Sequence, residues 1–158
     1  MADLLSYGIL KTDTIASVIK KVSGGDKMAI RVLLVMKRKM LSDALIEHAA
    51  RGTLFEMIAA RNYSMAAVTA ESCSPEISVV EIPESGMWKS AEKCLAICDS
   101  IRKQLPNCKQ MILCNEDDAD SYSATIHAKQ ENRIDDFLFY DSSVHYLFSK
   151  LEALTTNA

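Results

Sequence analysis

What this chain lacks narrows its chemistry before any motif is read. No apolar run approaches the ~18 residues that a membrane-spanning helix needs, so no membrane association is expected. No basic stretch followed by an apolar one opens the chain, so no secretory signal is expected. A basic excess is missing as well: 18 Lys+Arg against 21 Asp+Glu leave a net charge of −3. Nucleic-acid backbones need a basic face, so DNA or RNA is not expected as a direct partner. The cysteines, at 73, 94, 98, 108 and 114, are odd in number and contain no C-x-x-C pair. That pattern suits free thiols in a reducing cytoplasm rather than a disulfide framework or a zinc site, and no metal is expected. Cys94 and Cys98 share one helix face without a nearby His, so they read as small core residues. The patterns G-x-G-x-x-G, the Walker loop and G-x-S-x-G are absent, which excludes a nucleotide cradle and a nucleophile elbow of the familiar kinds. No Ser/His/Asp or Cys/His triad is readable. The loop after residue 36 has neither glycine nor a run of hydroxyl residues, so no flavin phosphate site is expected. The sequence thus implies no cofactor.

What remains is a globular composition, 49% hydrophobic and 25% charged over 158 residues. That is the size of one domain with a short appendage. At this length roughly 68–70% of the unfolded surface can be buried, so no covalent staple is needed.

The appendage is residues 1–28. Leu4, Leu5, Ile9 and Leu10 form a loose apolar cluster. Thr12-Asp13-Thr14 then offers a helix start, and Ile15, Val18, Ile19 and Val22 repeat with the helical period. Ser23-Gly24-Gly25-Asp26 ends the helix as a hinge. An isolated helix this short is not stable in water, so its stripe must pack on its own domain or on a second copy. A homodimer with the arm contributing is expected.

From residue 29 the pattern alternates. Strand-length apolar runs are expected at 30–36, 55–59, 77–82, 110–114 and 136–140. Between and after them come helical patterns. The first carries Leu41, Ala44, Leu45 and His48 and closes at Arg51-Gly52. Next is an Ala-rich stretch at 63–71, then Cys94, Leu95, Cys98, Ile101 and Leu105 ahead of Pro106. A polar segment at 117–129 follows, and Val144, Leu147, Phe148, Leu151 and Leu154 make the last stripe. Five β-α repeats with nearly continuous apolar strands imply an α/β fold: a parallel sheet covered on both faces. Right-handed crossovers and the chain length favour the flavodoxin-like, doubly wound order 2-1-3-4-5 over residues 29–158. Function then belongs at the carboxyl ends of the strands, just after Val35, Ile82, Leu113 and Phe139.

Two phrases at those ends carry a family resemblance. Glu81-Ile82-Pro83-Glu84-Ser85-Gly86-Met87 resembles the segment that holds the phospho-acceptor Asp and a Pro-Gly-Met turn in bacterial response-regulator receiver domains. Asp135-Asp136-Phe137-Leu138-Phe139-Tyr140 resembles the Asp-Asp-Tyr-Leu-x-Lys strand of the same CheY-like family. Residues 30–155 are similar to that family in element order. The resemblance implies a signalling domain of two-component systems whose Asp, with two further acids, holds Mg²⁺ and accepts a phosphoryl group. A Thr or Ser and a Lys complete the pocket. Here the two acidic positions fall on Met36 and Lys37, the acceptor on Glu81, the hydroxyl on Cys114 (or Asn115, one residue on), and the Lys on Tyr140. A thioether and an ammonium cannot replace hard carboxylate ligands. Without the metal, phosphoryl transfer loses its main electrostatic support.

The expectation is therefore a pseudo-receiver: a stand-alone, cytoplasmic, non-enzymatic protein-interaction module. Glu81 either pairs with Lys37 across the cleft or is a solvated strand-end acid. Lys37-Arg38-Lys39 reads as a solvated basic loop that could attract a small anion. Phe137 matches an aromatic switch position and is either a partner contact or edge-strand packing. Trp88 is either an interaction aromatic or a half-buried one. Two alternatives stand beside this: a small-molecule-binding or enzymatic flavodoxin-like domain using Lys37, Glu81, Cys114 and Tyr140, and a conventional receiver with the acids elsewhere. The second is disfavoured because Asp117, Asp118 and Asp120 follow the fourth strand, the wrong one.

Overall fold

The computed structural model describes residues 29–156. The expected arm and hinge, residues 1–28, lie outside the described residues. Five strands form the sheet: β1 (Ile30–Val35), β2 (Phe55–Ala60), β3 (Ile77–Glu81), β4 (Lys109–Cys114) and β5 (Asp136–Phe139). Their order is β2-β1-β3-β4-β5, every pair parallel. This is the flavodoxin-like doubly wound topology. The helices are α1 (Lys39–Ala49), α2 (Ala66–Cys73), α3 (Ala91–Gln104), α4 (Ala119–Gln130) and α5 (Val144–Thr156). A 3-10 turn, Tyr63–Met65, leads into α2.

The sheet has a core on each face, as its continuous apolar strands require. Leu33, Val35, Val80, Ile82, Ile112 and Cys114 point to the side covered by α2, α3 and α4. Their alternates, Val32, Leu34, Met36, Val79, Met111 and Leu113, point to the side covered by α1 and α5. The two-residue period of a strand thus sends neighbouring side chains into different cores.

The helix ends follow ordinary capping chemistry. Ser90 accepts from the Lys93 N–H at 3.1 Å and starts α3. Asp118 accepts from the Ser121 N–H and hydroxyl and starts α4. Those two bonds hold its carboxyl below the usual carboxylate range. Gly52 closes the turn after α1 at φ +94, a conformation natural to glycine.

The stripe of α1 is rotated from the expected one. Ser42, Leu45 and Ala49 are buried, while Ala44 and His48 are exposed. The buried Ser42 hydroxyl donates to the Lys39 carbonyl and receives the Arg61 guanidinium, so a polar residue is satisfied at the core margin. His48 lies at that margin too, its ring 4.6 Å from Phe148. The fourth helix buries Ser121, Thr125 and Ala128, a small and polar stripe that explains its weak periodicity in the sequence.

Candidate functional site

Parallel topology brings the ends of β1, β3, β4 and β5 to one edge, and Glu81 is the last residue of β3. Its side chain is 1% exposed, so it is not a solvated strand-end acid. A carboxylate there needs partners or it would not remain charged. Oε1 accepts the Lys37 N–H at 2.8 Å and the Arg38 N–H at 3.3 Å. Oε2 accepts Nε of Arg38. The two backbone donors come from the loop that enters α1, where the helix dipole also favours a negative charge.

Arg38 is thus the side-chain partner of Glu81, and the expected Lys37 ammonium is not. Lys37 meets the acid only through its backbone. Its Nζ turns outward to the Ser85 carbonyl and hydroxyl, at 3.3 and 3.4 Å. The same ammonium abuts Gly86, where an added Cβ would lie 3.1 Å from it and where φ is +89. Reach explains the exchange. The loop residue next to α1 faces the carboxylate, and a guanidinium offers a fixed fork that a mobile ammonium does not.

Tyr140 closes the other side. The Arg38 guanidinium lies over its ring, 4.4 Å from the centroid. This contact faces a guanidinium whose Nη2 is buried and finds no acceptor among the described residues. The Tyr140 hydroxyl donates to the Ile82 carbonyl. From below, the Tyr63 hydroxyl donates to the Glu81 carbonyl at 2.7 Å. Burial, and then the Glu81 charge, push both phenols well above their ordinary range. Both therefore stay neutral donors.

Of the five positions singled out in the sequence, three meet here: Glu81, Lys37 (by its backbone) and Tyr140. Met36 is 1% exposed and packs into the core under α1 and α5. Cys114 is fully buried in the opposite core, and burial pushes its thiol up to about 11. Asn115 lies at the rim and donates to Glu84 at 3.1 Å. A hard divalent cation would find one carboxylate at these positions, with both of its oxygens already engaged by Lys37 and Arg38. The donor set does not fit such an ion.

Sequence reasoning passed over Arg38 and Tyr63. The signal for Arg38 was the basic run placed opposite an acid at a neighbouring strand end. Tyr63 had no signal, since its role depends on how its 3-10 turn docks. Trp88 is half-buried and stacks on Tyr63 at 5.5 Å. Phe137 is half-buried on the edge strand β5, with the Lys129 ammonium 5.8 Å above its ring.

Two clefts flank this centre. One, of about 420 Å³, is lined by Glu84, Lys89, Asn115, Asp117, Asp118 and Tyr140, among others. The other, of about 320 Å³, has Lys37, Arg61, Asn62 and Trp88 on its walls.

No family model matches the chain, and no curated protein matches it either. Solved structures do. A response regulator from Thermotoga maritima is 18% identical with a TM-score of 0.65, covering 82% of this chain and 99% of its own. A DNA-binding response regulator of the LuxR family from Staphylococcus aureus is 19% identical with a TM-score of 0.63, covering 79% and 98%. The signal receiver domain of an HD domain-containing protein from Pseudomonas fluorescens is 16% identical with a TM-score of 0.64, covering 82% and 96%. In its fold, this chain is similar to the receiver domains of response regulators.

Proposed function

We propose that the domain is a receiver-type signalling module that works by protein recognition and has lost phosphoryl transfer. One observation carries this reading: the carboxylate at the acceptor position, Glu81, is buried, and both of its oxygens are engaged by Arg38 and two backbone donors. A nucleophile in that state is held by three donors away from solvent, and the residues around it do not fit a metal that would neutralise the incoming charge. The Arg38 guanidinium supplies instead a permanent positive charge beside the acid. The pocket is a fixed ion pair and not a site that is charged and discharged.

Recognition then falls to the surface. Phe137 lies on the open edge of the sheet beside Phe139, at 5.6 Å, and Tyr122 of α4 packs on Phe139 at 5.4 Å. Tyr146 of α5 is 50% exposed on the same side. This α4-β5-α5 face suits a protein partner, including a second copy. The small-molecule or enzymatic reading has less support, because Glu81 and Cys114, two of its four groups, are buried. The module is read as intracellular, given five free cysteines.

The test is intact-mass spectrometry after incubation with Mg²⁺ and acetyl phosphate. The expected spectrum is unchanged. A phosphoryl adduct that maps to Glu81 would overturn the reading.

A further inference from the structure

Beside the strand-end site, and sharing Tyr63 and Trp88 with its flanking cleft, α2 and α3 leave an apolar groove that the α4-β5-α5 face does not use. It holds about 430 Å³, and its lining includes Tyr63, Ala67, Met87, Trp88, Ala96 and Ile97. Met87 in its lining is 67% exposed, and on the neighbouring turn and α2 Met65 and Val68 are 46% and 54% exposed. Exposed apolar surface of this kind marks a contact.

We propose that the groove is the docking site of the chain's own N-terminal segment, residues 15–22. Three observations support this occupant. The first is where the segment arrives. Arg31, at the start of β1, donates through its guanidinium to the Cys73 carbonyl at 2.7 Å and through its backbone N–H to Glu76 at 2.9 Å. Cys73 is the last residue of α2. The start of β1, which residues 1–28 precede in the chain, therefore lies at the C-terminal end of the helix that forms one wall of the groove.

The second is reach. The six residues 23–28 span up to ~20 Å when extended. The eight residues of α2 rise ~12 Å. The hinge can therefore carry the segment back along α2 without strain. The third is fit. Eight residues at the helical period read from the sequence at 15–22 correspond to ~12 Å of helix, and the α3 wall from Lys93 to Ser100 rises ~11 Å. Ile15, Val18, Ile19 and Val22 then fill the groove as one stripe, opposite Ala67 and Ala96, whose small side chains admit a close helix approach. A stripe that is unstable alone gains its partner, and Trp88 is covered by its own chain.

Trp88 is the sole tryptophan, so it reports on the groove directly. The experiment uses the full chain with Val18→Asp and Ile19→Asp, against Ser17→Asp on the opposite side of the segment. The first two should shift Trp88 emission to the red and raise its acrylamide quenching constant about twofold, as a covered site opens. Ser17→Asp should leave both unchanged, and none of the three should alter the mass by light scattering. Unchanged emission and quenching in both stripe variants would overturn the proposal. So would a halved mass in Val18→Asp, which would place the stripe on a second copy. From the groove side, Ala67→Glu should speed tryptic cleavage after Lys20 and Lys21 several-fold. An unchanged cleavage rate also counts against docking in this groove.

Discussion

Replacing Arg38 by Met tests the centre of the molecule. The substitution removes a guanidinium from a carboxylate that is 1% exposed, leaving two backbone N–H donors on one oxygen and none on the other. Breaking a fully buried pair costs ~3–5 kcal/mol, and an exposed one ~0–1. Arg38 is 40% exposed, so water can follow where the guanidinium sat, and the cost falls between these limits. An estimate of about 2 kcal/mol results, close to one lost hydrogen bond to a charged group. For a domain of this size that lowers Tm by about 6 °C. The assay is urea and thermal unfolding of the full chain followed by circular dichroism. The decisive variant is Arg38→Met with Glu81→Gln. A neutral amide needs no cation, so the pair should recover part of the loss, with a coupling of about 1–2 kcal/mol. A single variant within ~0.5 kcal/mol of the parent, and no recovery in the double, would refute the claim that Arg38 holds the Glu81 charge.

Two further outcomes follow from the electrostatics. Burial would raise the Asp136 carboxyl, but hydrogen bonds from Lys150, the Phe137 N–H and Lys129, with the Lys150 charge, outweigh it and hold the group below its usual value. A depressed folded value stabilises above the unfolded carboxylate range and loses that contribution as pH falls through the folded value. Lys150→Met should therefore cost about 1 kcal/mol at neutral pH, with the gap closing in acid. A gap that stays constant on acidification would contradict the assignment. Among the cysteines, burial pushes Cys94 up to about 12 and Cys108 and Cys114 up to about 11, and Cys98 lies higher still. A disulfide reagent at mildly alkaline pH should modify the partly exposed Cys73 alone, and all five after denaturation. Rapid native modification of Cys94 or Cys114 would count against the closed core around the site.

The strands were legible because both faces of the sheet are buried, so residues such as 111–114 read as unbroken apolar runs. The α3 stripe was legible for a related reason: Cys94, Leu95, Cys98 and Ile101 face one core at helical spacing. The first helix was read with its stripe rotated, because Ala44 and Ser42 differ little in size, and burial of Ser42 depends on the Arg61 guanidinium, which donates to its hydroxyl. The site was half legible. Aligning strand ends located Glu81 and Tyr140, but Lys37 and Arg38 are adjacent cations, and no one-dimensional pattern says which points inward.

By itself the sequence determined the architecture: periods of two and 3.6, with breakers at their ends, specify β-α repeats, and the handedness of crossovers specifies their order. It also placed Glu81, a carboxylate one methylene longer than Asp, near the carboxyl end of a third strand expected over 77–82. What only the tertiary structure decided is the state of that carboxylate. Burial, two loop N–H groups and a guanidinium stacked on a tyrosine ring bring together Lys37 and Arg38, 44 and 43 residues before Glu81, and Tyr140, 59 residues after it. Their meeting depends on the parallel ladder that aligns β1 and β5 with β3 and β4, and a charge in low dielectric is governed by such neighbours rather than by its own residue type.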